Sequence, residues 1–168
     1  YTDDEDVVVA GLLHDALEDT KYSREQIKKD FGEKVLKIVE EVTEKSKKHS
    51  WEERKMDYLM NIPKKSIEAC LVACADKVHN LNSLTALYQT VGDALEKRFN
   101  APMGKKIWFY EEIYKAMKPR FRHGLIRELH HAIEEFNEVV SKKPPKKRKT
   151  IKRFIGPYDL VRWQHFSA

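Results

Sequence analysis

At 168 residues, with 41% hydrophobic and 35% charged side chains, the chain has the size and balance of one soluble domain carrying an appendage. No apolar run approaches the roughly 18 to 20 residues that cross a bilayer, which excludes a helical membrane protein. The net charge of +5 is local: residues 142–153, KKPPKKRKTIKR, hold eight Lys or Arg and no acid, leaving −3 elsewhere, so a generally basic nucleic-acid-binding body is excluded.

Helical periodicity dominates and no strand-like alternation appears, which predicts an all-α bundle. The first helix is expected over about residues 5–19, with Val8, Ala10, Leu12, Leu13, Ala16 and Leu17 buried. SREQ at 23–26 has the form of a capping box and opens a helix to about Asp30. Gly32 then separates it from EKVLKIVEEVTEK, whose Val35, Ile38, Val39 and Val42 make one apolar stripe. A second capping box, SWEE at 50–53, starts a helix ending near Pro63. Ser66 begins the most apolar helix, in which Cys70 and Cys74 read as small reduced core residues, in keeping with a cytoplasmic location. Asp93 to Phe99 and KKIWFYEEIYKAM are expected helical, and Pro119 suits the first turn of a last helix ending near Ser141. His123, His130 and His131 have no matched acid or Cys spacing and read as solvated positions.

The predicted organisation is a helical domain over 1–141, then a basic linker and short C-terminal segment over 142–168. Phe154, Ile155, Tyr158, Leu160 and Trp163 are expected to dock that segment. PPKKRK reads as a solvated linker, and nucleic acid is an expected partner at most through 142–153. No secretory signal is visible, and the chain opens at Tyr1 rather than Met, which suits a segment further upstream.

GLLHDALEDT, residues 11–20, breaks the apolar pattern with His14, Asp15, Glu18 and Asp19. On one helix these project within an arc of roughly 140°. Only ACADKVHNLNSL breaks its helix similarly: Asp76, Asn80 and Ser83 share a face, with Lys77 about 100° around. Buried charges need partners or a metal, so the two patches are expected to meet. His and Asp donors suit manganese, iron or zinc. With His14, Asp15 and Asp76 as ligands, Glu18 and Asp19 stay free to handle protons, the division that metal-assisted hydrolysis requires.

HDALEDT, FGEKVLKIVEEVTEK and ADKVHNLNSL together resemble the HD-domain hydrolases of the RelA/SpoT type, and most of all the small alarmone hydrolases, over about Asp4 to Leu84. The resemblance implies an all-helical HD domain, one Mn²⁺ (Fe²⁺ or Zn²⁺ as variants), and removal of the 3′-pyrophosphate from guanosine tetra- and pentaphosphate. It implies His14, Asp15 and Asp76 as metal ligands, Glu18 and Asp19 as the pair that activates water, and Asn80 and Ser83 at the ribose. The family's further metal-binding His lies in a helix upstream of the His-Asp pair, which would fall before Tyr1. Asn82 stands where the family often has Arg, and Ser83 where Thr is common. Arg54 and Lys55, in a segment similar to the family's ERK, and Lys77 are candidate phosphate contacts. The alternatives are an HD-domain nucleotidase or phosphodiesterase on another nucleotide, and a non-catalytic HD-fold regulatory module.

Overall fold

The computed structural model describes residues 1–44, 49–92, 95 and 102–142. Among these every regular element is helical. The α-helices are α1 (Glu5–Leu13), α2 (Ala16–Asp19), α3 (Arg24–Val42), α4 (Trp51–Asn61), α5 (Ile67–Val91), α6 (Met103–Met117) and α7 (Gly124–Ser141), with a 3-10 turn at Ile62–Lys64 after α4.

Local signals in the sequence set most of the boundaries. Ser23 with Gln26, and Ser50 with Glu53, form complete capping boxes at the starts of α3 and α4. The Ser66 hydroxyl accepts the Ala69 N–H and opens α5. Within α3, Gly32 takes φ 90° and ψ 169°, which only glycine adopts freely, so the helix kinks where the sequence separates its two halves.

Two expectations are corrected. The first helix is not continuous to residue 19: α1 ends at Leu13, His14 and Asp15 form a turn, and α2 begins at Ala16. The Asp15 carbonyl restarts the helix by accepting the N–H groups of Glu18 and Asp19. On α1 the apolar residues also divide differently, since Val7 and Ala10 are buried whereas Val8 and Leu12 are exposed. The last helix starts at Gly124, not at Pro119, with the His123 ring accepting the Leu125 N–H. Arg120 holds the preceding segment elsewhere, because its guanidinium donates to the carbonyls of Ile62 and Lys65 and ties it to the 3-10 turn. Apart from Leu95 and Lys142, the expected helix at Asp93–Phe99, the basic linker and the docking residues of the C-terminal segment lie outside the described residues.

Two apolar clusters form the core. One joins α1, α3 and the start of α5 through Val7, Ala10, Ile27, Val35, Val39, Ala69 and Val72. The other joins the rest of α5 to α4, α6 and α7 through Tyr58, Ala73, Leu81, Tyr88, Ile113, Leu129 and Phe136. Helix α5 therefore serves both, packing on α7 to one side and on α1 and α3 to the other. Cys70 and Cys74 are buried free thiols, as expected. No described helix is long and apolar enough to cross a membrane.

Candidate active site

The turn between α1 and α2 orients one imidazole. His14 Nδ1 lies 2.8 Å from the Gly11 carbonyl oxygen, and a carbonyl can only accept, so Nδ1 carries a proton. The opposite nitrogen, Nε2, faces two carboxylates, Asp15 Oδ2 at 2.9 Å and Asp76 Oδ1 at 3.3 Å. It is buried and has no hydrogen bond of acceptable geometry. Burial opposes a charge on this ring, but the close approach and negative charge of Asp15 and Asp76 outweigh it and push the His14 pKa up to about 10. The pocket between the carboxylates thus calls for positive charge, whether a proton or a metal ion.

Asp76 arrives from α5, where the two core clusters meet. Val72 belongs to one and Ala73 to the other, and both line the same cleft as Asp76. The Asp76 carboxylate accepts Asn80 Nδ2 and Lys77 Nζ, each at 2.7 Å. Burial alone would raise its pKa, but Lys77 and His14 hold it well below the usual carboxylate range. Lys77 also stands over the Tyr58 ring, 5.1 Å from its centroid.

The remaining walls carry charge of both signs. Glu18 Oε1 accepts the Glu44 main-chain N–H at 2.7 Å. Burial, followed by the charges of Glu44, Asp15 and Asp19, raises the Glu18 pKa against the opposing effect of that hydrogen bond. Across the cleft the Glu44 carboxylate receives Lys55 Nζ at 2.5 Å and lies 3.5 Å from Arg54 Nη1. Burial would raise the Glu44 pKa, but Lys55, Lys77 and Arg54 bring it below the ordinary value.

Of the residues picked out by sequence, His14, Asp15, Glu18, Asp19, Arg54, Lys55, Asp76, Lys77 and Asn80 line this one cleft. Ser83, one turn further along α5, is half-buried and is not part of the lining. Sequence reasoning missed Glu44 and Tyr58. Glu44 follows the end of α3 and meets Arg54 and Lys55 only through the tertiary fold, so no helical spacing signals it. Tyr58 lies one turn beyond Arg54 on α4, and that spacing could have marked it. His130 and His131 both stand near Glu134; His131 is exposed, as expected, whereas His130 is half-buried with its ring 4.8 Å from that of Tyr114.

A divalent ion suits this donor set. The His14 Nε2, which would bind an ion in exchange for its proton, converges with two carboxylates, and the imidazole's far N–H is anchored on a backbone carbonyl, the usual outer partner of a ligating His. Among the described residues no shell of three donors stands ready-formed, and the carboxylates contact the ring directly.

Residues 2–101 match the family model of the HD domain. The chain belongs to the HD-domain family. The RelA/SpoT-type likeness is borne out by relatives of this HD domain. The guanosine-3′,5′-bis(diphosphate) 3′-pyrophosphohydrolase MESH1 of Drosophila melanogaster is 44% identical over 48% of this chain and 45% of its own length. The guanosine-3′,5′-bis(diphosphate) 3′-pyrophosphohydrolase of Haemophilus influenzae is 37% identical over 50% of this chain and 13% of its own length. The chain therefore spans less than half the length of these curated relatives. Among solved structures, lmo0812 from Listeria monocytogenes EGD-e superposes with a TM-score of 0.68 at 30% identity, over 77% of this chain and 82% of that one. A metazoan ortholog of SpoT described as hydrolysing ppGpp superposes with a TM-score of 0.59 at 29% identity, over 82% and 70%.

Proposed function

We propose that this HD domain is a metal-dependent phosphohydrolase that removes the 3′-pyrophosphate of guanosine tetra- and pentaphosphate. The observation that carries the reading is the His14 Nε2 turned toward Asp15 and Asp76, with the Glu18 carboxylate in the same cleft. The names of its relatives supply the substrate class.

His14, Asp15 and Asp76 would hold one divalent ion, with Mn²⁺ as our choice over Fe²⁺ or Zn²⁺. When bound, such an ion supplies Lewis acidity and positive charge beside the scissile phosphate. Glu18, with its raised pKa, takes a proton from the attacking water, and Asp19 on the same short helix assists. Arg54, Lys55 and Lys77 face the phosphate oxygens from α4 and α5, while Asn80 and Ser83 lie along α5 toward the nucleoside. Water is consumed, and guanosine tetraphosphate yields GDP and pyrophosphate.

The test is incubation of the full chain with Mn²⁺ and guanosine tetraphosphate, with products separated by ion-exchange chromatography. GDP and pyrophosphate are expected. Loss of 5′-phosphate alone would remove the alarmone assignment and leave a different phosphoesterase.

A further inference from the structure

We infer that the Glu44 carboxylate occupies the place of a substrate phosphate group, and that an incoming polyphosphate displaces it from Lys55 and Arg54. This rests on the proposed reading of the cleft as a phosphoester site. Glu44 stands just beyond α3, after the Thr43 cap, and reaches across to α4, where Lys55 Nζ and Arg54 Nη1 point at its two oxygens. The three side chains cover one another: Arg54 is 7% exposed, Lys55 14% and Glu44 16%. Glu44, Arg54 and Lys55 all line the cleft that holds His14 and Asp76, so a ligand oxygen entering it competes with the Glu44 oxygens for these cations.

The chemistry of exchange favours that outcome. Guanidinium and ammonium groups accept a carboxylate or a phosphate through the same geometry, and a phosphate brings three oxygens and more negative charge. Replacing one anion by another keeps the buried cations paired. Lys77 adds a third positive charge on the far wall. Glu44 in this role keeps the cations in register without a ligand and competes with the ligand once it arrives.

The discriminating experiment is calorimetric titration of inorganic pyrophosphate into the full chain, without added divalent cation, for wild type and Glu44→Gln. The variant is expected to bind about tenfold tighter, because its neutral amide no longer competes. Lys55→Gln in the same background should abolish the gain, and pyrophosphate should raise the melting temperature more for Glu44→Gln than for wild type. If Glu44→Gln folds poorly, Glu44→Asp, with its shorter reach, is expected to bind tighter in the same way. Equal or weaker binding by a variant with normal helical signal would overturn the inference and make Glu44 a fixed support for Arg54 and Lys55. Absence of binding to either protein would overturn it too. Failure of the full chain to hydrolyse guanosine tetraphosphate bears on the substrate alone, since the pyrophosphate comparison needs no turnover.

Discussion

The His14 imidazole is pinned from behind by Gly11: its Nδ1 meets the Gly11 carbonyl oxygen at 2.8 Å, and its Nε2 is thereby aimed at Asp76, 62 residues further along the chain. The Gly11 carbonyl, in the last turn of α1, thus fixes the direction of the His14 ring. Asp76→Asn should cancel the convergence, since the neutral amide keeps the shape but not the charge that attracts a cation. Calorimetric Mn²⁺ titration should show binding lost, and activity should vanish with it. Retention of tight Mn²⁺ binding would place the ion elsewhere.

Glu18 calls for the opposite result. It contacts the Glu44 N–H and faces the cleft without touching the His14 ring in the way Asp15 and Asp76 do. Glu18→Gln should retain Mn²⁺ while single-turnover rates fall about 10² to 10⁴-fold, the usual loss when a positioned base is removed. Asp19→Asn should behave similarly if the two acids act together. Near-normal turnover in Glu18→Gln would mean that the carboxylate is structural.

Asn80 holds Asp76 directly, with its amide donating to the same Oδ1 that faces His14. Its truncation should therefore be felt at the metal as well as at the nucleoside. Asn80→Ala is expected to weaken Mn²⁺ binding about 10- to 100-fold, the range for residues that orient a ligand. An unchanged Mn²⁺ affinity with a raised KM would confine Asn80 to substrate contact.

Lys106 gives a pH signature away from the His14 and Asp76 pair. Burial first, then the charge of Lys55, lowers its pKa from 10.5 to about 8 in the folded protein. The unfolded chain therefore binds more protons between these values, and this residue's contribution to stability rises as pH rises through that window. Lys106→Met should be more stable than wild type by about 1 to 3 kcal/mol below pH 8, with the advantage gone near pH 10.5. Denaturant melts of both proteins across pH 7 to 11 provide the check, and their difference isolates Lys106. The comparison is needed because burial raises the pKa of Cys74 and Tyr58 to about 12, which acts in the reverse sense above their ordinary values.

The sequence carried the helices through local chemistry. Ser23, Ser50 and Ser66 are caps whose bonds close within three residues, so their signals survive without tertiary context. His14, Asp15 and Asp76 were legible because charged residues interrupt helices that otherwise read as core. Three features were not legible, two of them because they depend on distant partners. The break after Leu13 rests on local bonding that helical periodicity does not encode. The late start of α7 depends on Arg120 reaching the turn after α4. Glu44 acquires its meaning only from α4 across the cleft.

The cleft lies along the joint between two apolar clusters that meet through Val42 and Leu71. His14 ends α1 on one side, Tyr58 and Phe109 belong to the other cluster, and α5 is the spine between them. Each half has its own apolar contacts, so warming or mild denaturant that loosens the joint would part His14 from Asp76 while both halves keep their helical hydrogen bonds. Such a molecule fails as an instrument before it fails as a fold: inactivation should run ahead of the loss of circular dichroism at 222 nm. A divalent ion held across the joint by His14 and Asp76 would act as a clasp, narrowing the gap between the two events.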